Sequence, residues 1–153
     1  MLASCWAGIV FLATLSGAEY PNLVAAQWAL ESDWGRSPSG VHNYFGMKGK
    51  GSGKPTDEYI NGKRVRTYAM FIDYESIDAS VADVVSKWHK DYKWHKGVNN
   101  AATREDAARM LARQGYATSP DYADLLIRLM NRNSVPVPEN LHDDTTRQSY
   151  RCR

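Results

Sequence analysis

Ala25-Ala26-Gln27-Trp28-Ala29-Leu30-Glu31-Ser32-Asp33-Trp34-Gly35-Arg36-Ser37 is the stretch on which the reading of this 153-residue chain turns. Pro21 suits a first helical turn, and Leu23, Ala26, Gln27 and Leu30 then recur at helical spacing, so a helix is predicted from about Asn22 to Ser32. Gly35 supplies a left-handed stop. Glu31 therefore falls on the last turn, between Trp28 and Trp34. A helix C-terminus carries partial negative charge, which disfavours an ionised carboxylate there by about 0.3–1 kcal/mol. Burial against an indole would add to this and keep the acid protonated near neutral pH. On position alone Glu31 reads as a solvated residue at a helix end. A protonated glutamate in a groove is what a glycosidase uses as its general acid.

Downstream lie Asn43-Tyr44-Phe45-Gly46-Met47-Lys48-Gly49, Phe71-Ile72-Asp73-Tyr74-Glu75-Ser76 and Gly115-Tyr116-Ala117-Thr118-Ser119-Pro120-Asp121-Tyr122-Ala123. With the Ala-Leu-Glu-Ser-Asp-Trp-Gly-Arg-Ser run they make four ordered blocks over roughly residues 11–132. In this order they resemble the glycoside hydrolase family 73 N-acetylglucosaminidases, the flagellar and autolysin-type peptidoglycan hydrolases with a lysozyme-like fold.

Composition agrees with a single domain: 43% of residues are hydrophobic and 24% charged. A net charge of +2 is too mild to imply nucleic acid and suits approach to an anionic wall polymer. Five Trp and nine Tyr against three Phe favour rings with a polar handle, as carbohydrate grooves do, although interfaces use the same residues. Cys5 and Cys152 lie at opposite ends and read as free or incidental, a disulfide between the termini being the alternative. No Cys/His spacing resembles a metal site.

Residues 1–18 are uncharged and largely apolar, but a basic leader region is missing and the apolar run is shorter than the about 20 residues a spanning helix needs. The small residues ending at Ala18 could pass for a processing site; the resemblance instead places a first core helix at Phe11–Ala18 and leaves residues 1–10 as an atypical leader. Residues 35–55, with the glycine-alternating run Gly49-Lys50-Gly51-Ser52-Gly53, read as a mobile rim. The resemblance makes Asn43, Tyr44 and Phe45 cleft lining, with Asn43 bonding an acetamido group or ordering the loop; Phe45 also suits the core.

Asn61-Gly62 is a two-residue type I′ turn signal inside Asp57–Arg66, setting Ile60 opposite Lys63, Tyr59 opposite Arg64 and Glu58 opposite Val65. Glu58 alone reads as a strand-surface glutamate balancing Lys63, Arg64 or Arg66. The resemblance makes it the second catalytic glutamate, across the cleft from Glu31.

Ser76 caps a long amphipathic helix predicted to about Trp94, with His89 and His95 on its solvated side. Thr103 caps a helix ending before Gly115, and Ser119-Pro120 starts another, with Tyr122, Leu125, Leu126, Leu129 and Met130 inward. Tyr116 stands at their junction, where it either plugs the core or, as the resemblance implies, orients water or substrate; Tyr122 is a further cleft candidate. Residues 133–153 form a polar tail that frays or wraps the surface.

The expected architecture is thus α+β and mainly helical, a lysozyme-like helical lobe with a small β-hairpin lobe and a substrate groove between them. The resemblance implies hydrolysis of the β-1,4 bond after N-acetylglucosamine in peptidoglycan. Glu31 is then the general acid, Glu58 the base or transition-state stabiliser and Tyr116 a third catalytic residue. Trp34, Asn43, Phe45 and Tyr122 would bind substrate. No metal or cofactor is implied. The expected partner is the glycan strand, without nucleic acid, membrane insertion or oligomer, and the site of action is the cell wall, reached by secretion, in the periplasm or from a phage. A lytic transglycosylase and a non-catalytic wall-binding module stay open as alternatives.

Overall fold

A computed structural model describes residues 2–141. Five α-helices and one hairpin succeed one another as α1 (Leu2–Leu15), α2 (Pro21–Ser32), β1 (Gly51–Ile60), β2 (Lys63–Ile72), α3 (Ile77–Val84), α4 (Arg104–Arg113) and α5 (Tyr122–Asn133). The predicted α+β architecture, mainly helical, is present.

Helix α2 is the buried axis of the helical lobe. Nine of its residues, from Pro21 to Ser32, are buried, and its alanines let α1 and α5 pack close. The end of α2 differs from the expected glycine stop. Asp33 already adopts a left-handed conformation with φ 50°, followed by Trp34 at 59° and Gly35 at 82°. Ser32 stabilises this turn: its Oγ donates to Trp28 O at 2.6 Å and accepts from Gly35 N at 2.9 Å.

The expected break after residue 10 is not present among the described residues. A single helix runs from Leu2 to Leu15, and Trp6, Ile9, Val10 and Ala13, at helical spacing, are buried in the same core as α2. Cys5 is buried and disulfide-bonded, which corrects the reading of it as free. Its fellow cysteine Cys152, like the tail beyond residue 141, lies outside the described residues.

Asn22 joins three parts of the chain. Its Oδ1 accepts from Trp6 Nε1 at 2.9 Å and Val135 N at 3.0 Å, while its Nδ2 donates to Val135 O at 2.9 Å. The start of the C-terminal segment is thereby held beside α1.

The hairpin keeps the predicted register, Ile60 with Lys63, Tyr59 with Arg64 and Glu58 with Val65, and extends it to Gly51 with Ile72. Asn61 and Gly62 both have positive φ, as a type I′ turn requires. The run read as a loose rim is therefore strand from Gly51 onward. The glycine at 51 reflects close approach, since a Cβ there would fall 2.2 Å from Phe71 O.

The helix after Ser76 is shorter than expected. Beyond Val84 it widens into one π turn, Val85–His89, and the chain becomes extended at Lys90. This turn carries His89 inward with Val85, so His89 is fully buried rather than solvated. Ser76 and Thr103 cap as predicted, accepting from Ala79 N and Asp106 N, both at 3.1 Å. Helix α5 begins at Tyr122, after Ser119-Pro120 rather than at them.

Asn22→Ala removes three hydrogen bonds that join α1, α2 and the C-terminal segment. It is expected to lower the unfolding free energy by about 2 kcal/mol, read as a lower denaturation midpoint at unchanged m. An unshifted midpoint would remove Asn22 from this role.

Candidate active site

Between the helical lobe and the hairpin lies a cleft of about 540 Å³. The C-terminal turn of α2 lines it with Leu30 and Glu31, the hairpin with Thr56–Tyr59, and the link between α4 and α5 with Gly115–Ser119. Glu31 and Glu58, 27 positions apart in sequence, thus face one space from opposite lobes.

The two carboxyls are pushed in opposite directions. Glu31 keeps part of its surface open to the cleft, but its carboxyl is closely surrounded. Burial raises its pKa to about 7, and the nearby Glu58 charge adds to the rise; the Tyr122 hydroxyl and the Lys48 ammonium temper it. Close contact comes also from Gly46, which has φ +66° and where a Cβ would sit 3.1 Å from Glu31 Oε2. A side chain at 46 would both strain the backbone and crowd the acid. Burial acts to raise Glu58 too, but there the Lys48 ion pair and the Thr118 hydroxyl, donating at 2.7 Å, prevail and hold the carboxyl below its usual range. At neutral pH one carboxyl is therefore about half protonated, far more than an ordinary glutamate, while its neighbour is ionised.

A buried polar cluster lies beneath Glu31. Gln27, one helical turn earlier on α2, has no exposed surface, and His89 Nε2 lies 2.7 Å from its Oε1. The amide oxygen only accepts, so His89 carries its proton on Nε2; burial lowers its pKa to about 3, leaving it neutral. The Gln27 amide nitrogen is buried near the hydroxyls of Tyr116 and Tyr122 but has no well-aligned partner among the described residues. The Tyr122 hydroxyl, buried and without a well-aligned partner among the described residues, faces Glu31. Gln27 and His89 escaped the sequence reading: 62 positions separate them, and only the i, i+4 spacing of Gln27 and Glu31 hinted that one helix face carries both.

The remaining predicted site residues divide. Tyr116 lines the cleft, donates to Phe45 O at 2.6 Å and stacks on Tyr122 at 5.8 Å. Tyr122 is 2% exposed, so it meets Glu31 rather than offering a face to a sugar. Phe45 has no exposed surface; its ring belongs to the core and its carbonyl serves Tyr116. Asn43 is buried as well, donating to Met47 O and Ile72 O at 2.8 and 2.9 Å and accepting from Met47 N at 3.1 Å, which orders the loop. Trp34 is not brought to the cleft wall: it packs on Trp6 and Trp28, with ring centroids 5.6 and 5.8 Å away. Among the described residues no cluster of three His, Cys, Asp or Glu has the arrangement of a metal site, and no helix is long and apolar enough to cross a membrane.

A helix-borne acid facing a hairpin-borne carboxylate across a groove is the layout of a lysozyme-like glycosidase. Residues 16–135 match the glucosaminidase family, mannosyl-glycoprotein endo-beta-N-acetylglucosaminidase, and the chain belongs to that family. It is 35% identical over 122 residues to the exo-glucosaminidase LytG of Bacillus subtilis, covering 73% of this chain and 43% of that protein. It is 36% identical over 112 residues to the peptidoglycan hydrolase FlgJ of Pseudomonas aeruginosa, covering 65% and 28%. The chain thus spans less than half the length of these relatives. A truncated glycoside hydrolase domain of Salmonella typhimurium FlgJ superposes with a TM-score of 0.63 at 30% identity, covering 86% of this chain and 97% of that one.

The Glu31 titration can be followed by carboxyl NMR and is expected to have its midpoint at about 7. Tyr122→Phe removes a contact that favours the ionised form and should move the midpoint higher. Because the folded value lies above the ordinary 4.5, folding stability should fall as pH rises from about 4.5 through about 7. Glu31→Gln should abolish that fall. A midpoint near 4.5 would show the carboxyl to be solvated.

Proposed function

We propose that this protein hydrolyses the β-1,4 bond after N-acetylglucosamine in peptidoglycan, acting at the cell wall as a monomer on the glycan strand. The observation that carries this reading is the pair of carboxyls with opposed shifts, Glu31 raised and Glu58 lowered, across one cleft. Glycoside hydrolysis needs a proton donor to the leaving oxygen and a carboxylate that activates water or balances positive charge on the sugar. Glu31, which keeps its proton up to about pH 7, takes the first role. Glu58, kept ionised by Lys48 and Thr118, takes the second. The two carboxyls provide both functions, so the reading calls for no metal or cofactor.

Tyr116 borders the bound sugar at the junction of the two helices. Tyr122 acts through Glu31, which its buried hydroxyl faces. Asn43, Phe45 and Trp34 contribute by fixing the backbone around Gly46 and the end of α2 rather than by stacking on sugars. Catalysis resides in the unit expected at residues 11–132, with the start of α1 packed onto it. The ionised Glu58 favours hydrolysis over a transglycosylase, which cuts with one glutamate.

Glu31→Gln is expected to lower turnover of purified peptidoglycan about a thousandfold. Mass spectrometry after borohydride reduction should find reduced N-acetylglucosamine ends with the wild-type chain and hardly any with the variant. Anhydro-muramyl ends would assign a lytic transglycosylase instead. Wall binding without release by either protein would leave a binding module.

A further inference from the structure

Beyond the saddle formed by Gly46, Lys48, Gly115 and Tyr116, the cleft continues into a second pocket of about 400 Å³. The four saddle residues line both spaces, so a polymer lying past Glu31 has its next portion over this pocket. Its own wall is built from Lys87, Trp88, Tyr92, Trp94 and His95. A tight turn presents these aromatics: Tyr92 N donates to His95 O at 3.0 Å and His95 N to Tyr92 O at 3.1 Å. Trp88 stacks on His95 at 5.1 Å, and Tyr92 meets Trp94 edge-on at 4.8 Å. Trp94 remains 69% exposed.

The two spaces differ in charge. Among the described residues, four carboxyl residues, Glu31, Asp33, Asp57 and Glu58, line the catalytic cleft, whereas no carboxyl residue lines the second pocket. Lys48 and Lys87 border that pocket, and Lys93 Nζ lies 4.3 Å from the centre of the Trp94 ring at its rim. Lys48 pairs with Glu58 and Lys87 with Asp83 at 3.1 Å, but an ammonium has three donors, and each pair engages one carboxylate. Neither anion belongs to the pocket wall. A neutral run of N-acetylglucosamine would gain little from these cations. A chain that alternates neutral sugars with sugars carrying an acidic peptide would gain directly.

On the basis of the proposed hydrolase reading, we infer that this second pocket receives the carboxylate-bearing peptide stem of the muramyl sugar next to the scissile bond. The stem's carboxylates face Lys87 and Lys48, and its peptide planes lie on Tyr92 and Trp94. The protein thereby distinguishes peptide-bearing strands from bare glycan, using Lys87, Tyr92 and Trp94, which lie outside the catalytic pair, together with Lys48, which also pairs with Glu58.

The test compares binding of a reduced disaccharide-peptide with that of the same disaccharide lacking its peptide, followed by the indole NMR signals of Trp88 and Trp94 in the full chain. The peptide-bearing ligand should bind about tenfold more tightly, as one or two charge-assisted contacts would give. Lys87→Gln and Trp94→Ala should each shrink that ratio; Trp94, being exposed, can be truncated without opening the core. Equal affinity for the two ligands, or an undiminished ratio in both variants, overturns the inference. Binding of a phosphate polymer with no preference for the peptide-bearing ligand overturns it too. Cleavage of whole strands, assayed separately, judges the hydrolase reading. Cleavage with equal binding keeps the hydrolase and rejects the pocket, and a binding difference without cleavage does the reverse.

Discussion

Enclosure of one carboxyl at the end of a buried helix is the constraint on which this structure rests. Removing Glu31 from water is costly for its ionised form. The molecule keeps the group enclosed by having it hold its proton near neutrality, and that is the state a proton donor must have. Several otherwise unrelated features serve this arrangement. Asp33, Trp34 and Gly35 turn the chain sharply away so that the last turn of α2 opens onto the cleft. Gly46 lets a loop backbone approach the acid. Asn43, buried and bonded in several directions, fixes that loop. Ala25, Ala26 and Ala29 keep the helix close to its neighbours.

Much of this was readable from the chain because it depends on local chemistry. The hairpin register followed from Asn61-Gly62 alone, and the caps at Ser76 and Thr103 from their side chains. The position of Glu31 on a final helical turn followed from Pro21 and the spacing of Leu23, Ala26 and Leu30. Features set by distant contacts were not readable. His89 looks polar beside Lys90, yet a π turn and the Gln27 amide bring it into the core. Trp6, Ile9 and Val10 show helical spacing, but nothing local tells a core helix from an apolar leader; packing against α2 decides it.

Aromatic residues gave the weakest guidance. A tryptophan beside an acid suggests a sugar platform, whereas Trp34 is engaged by Trp6 and Trp28 and helps close the core under the turn. Tyr122 meets Glu31 through its hydroxyl, its ring being buried, which composition cannot distinguish. For Glu58, the sequence offered Lys63, Arg64 and Arg66 as partners. Asp57 takes Arg64 and Arg66, and Glu58 is held instead by Lys48 and Thr118 from outside the hairpin.

The hairpin also bears on how the protein behaves at high concentration. It is a two-stranded sheet, covered on one side only where Gly49 N donates to Met70 O and Ile72 N to Met47 O. Its outer portion exposes Ile60, Val65 and Tyr68 along an edge that pairs with no further strand among the described residues, a surface on which a strand from another copy could add. What opposes this is charge. The two strands carry Lys54, Lys63, Arg64 and Arg66 against Asp57 and Glu58, so two hairpins approaching edge to edge bring together like-signed surfaces. Such repulsion is screened within about 10 Å at 0.1 M salt. Colloidal stability is thus vested in a few exposed cations, and it weakens as ionic strength rises.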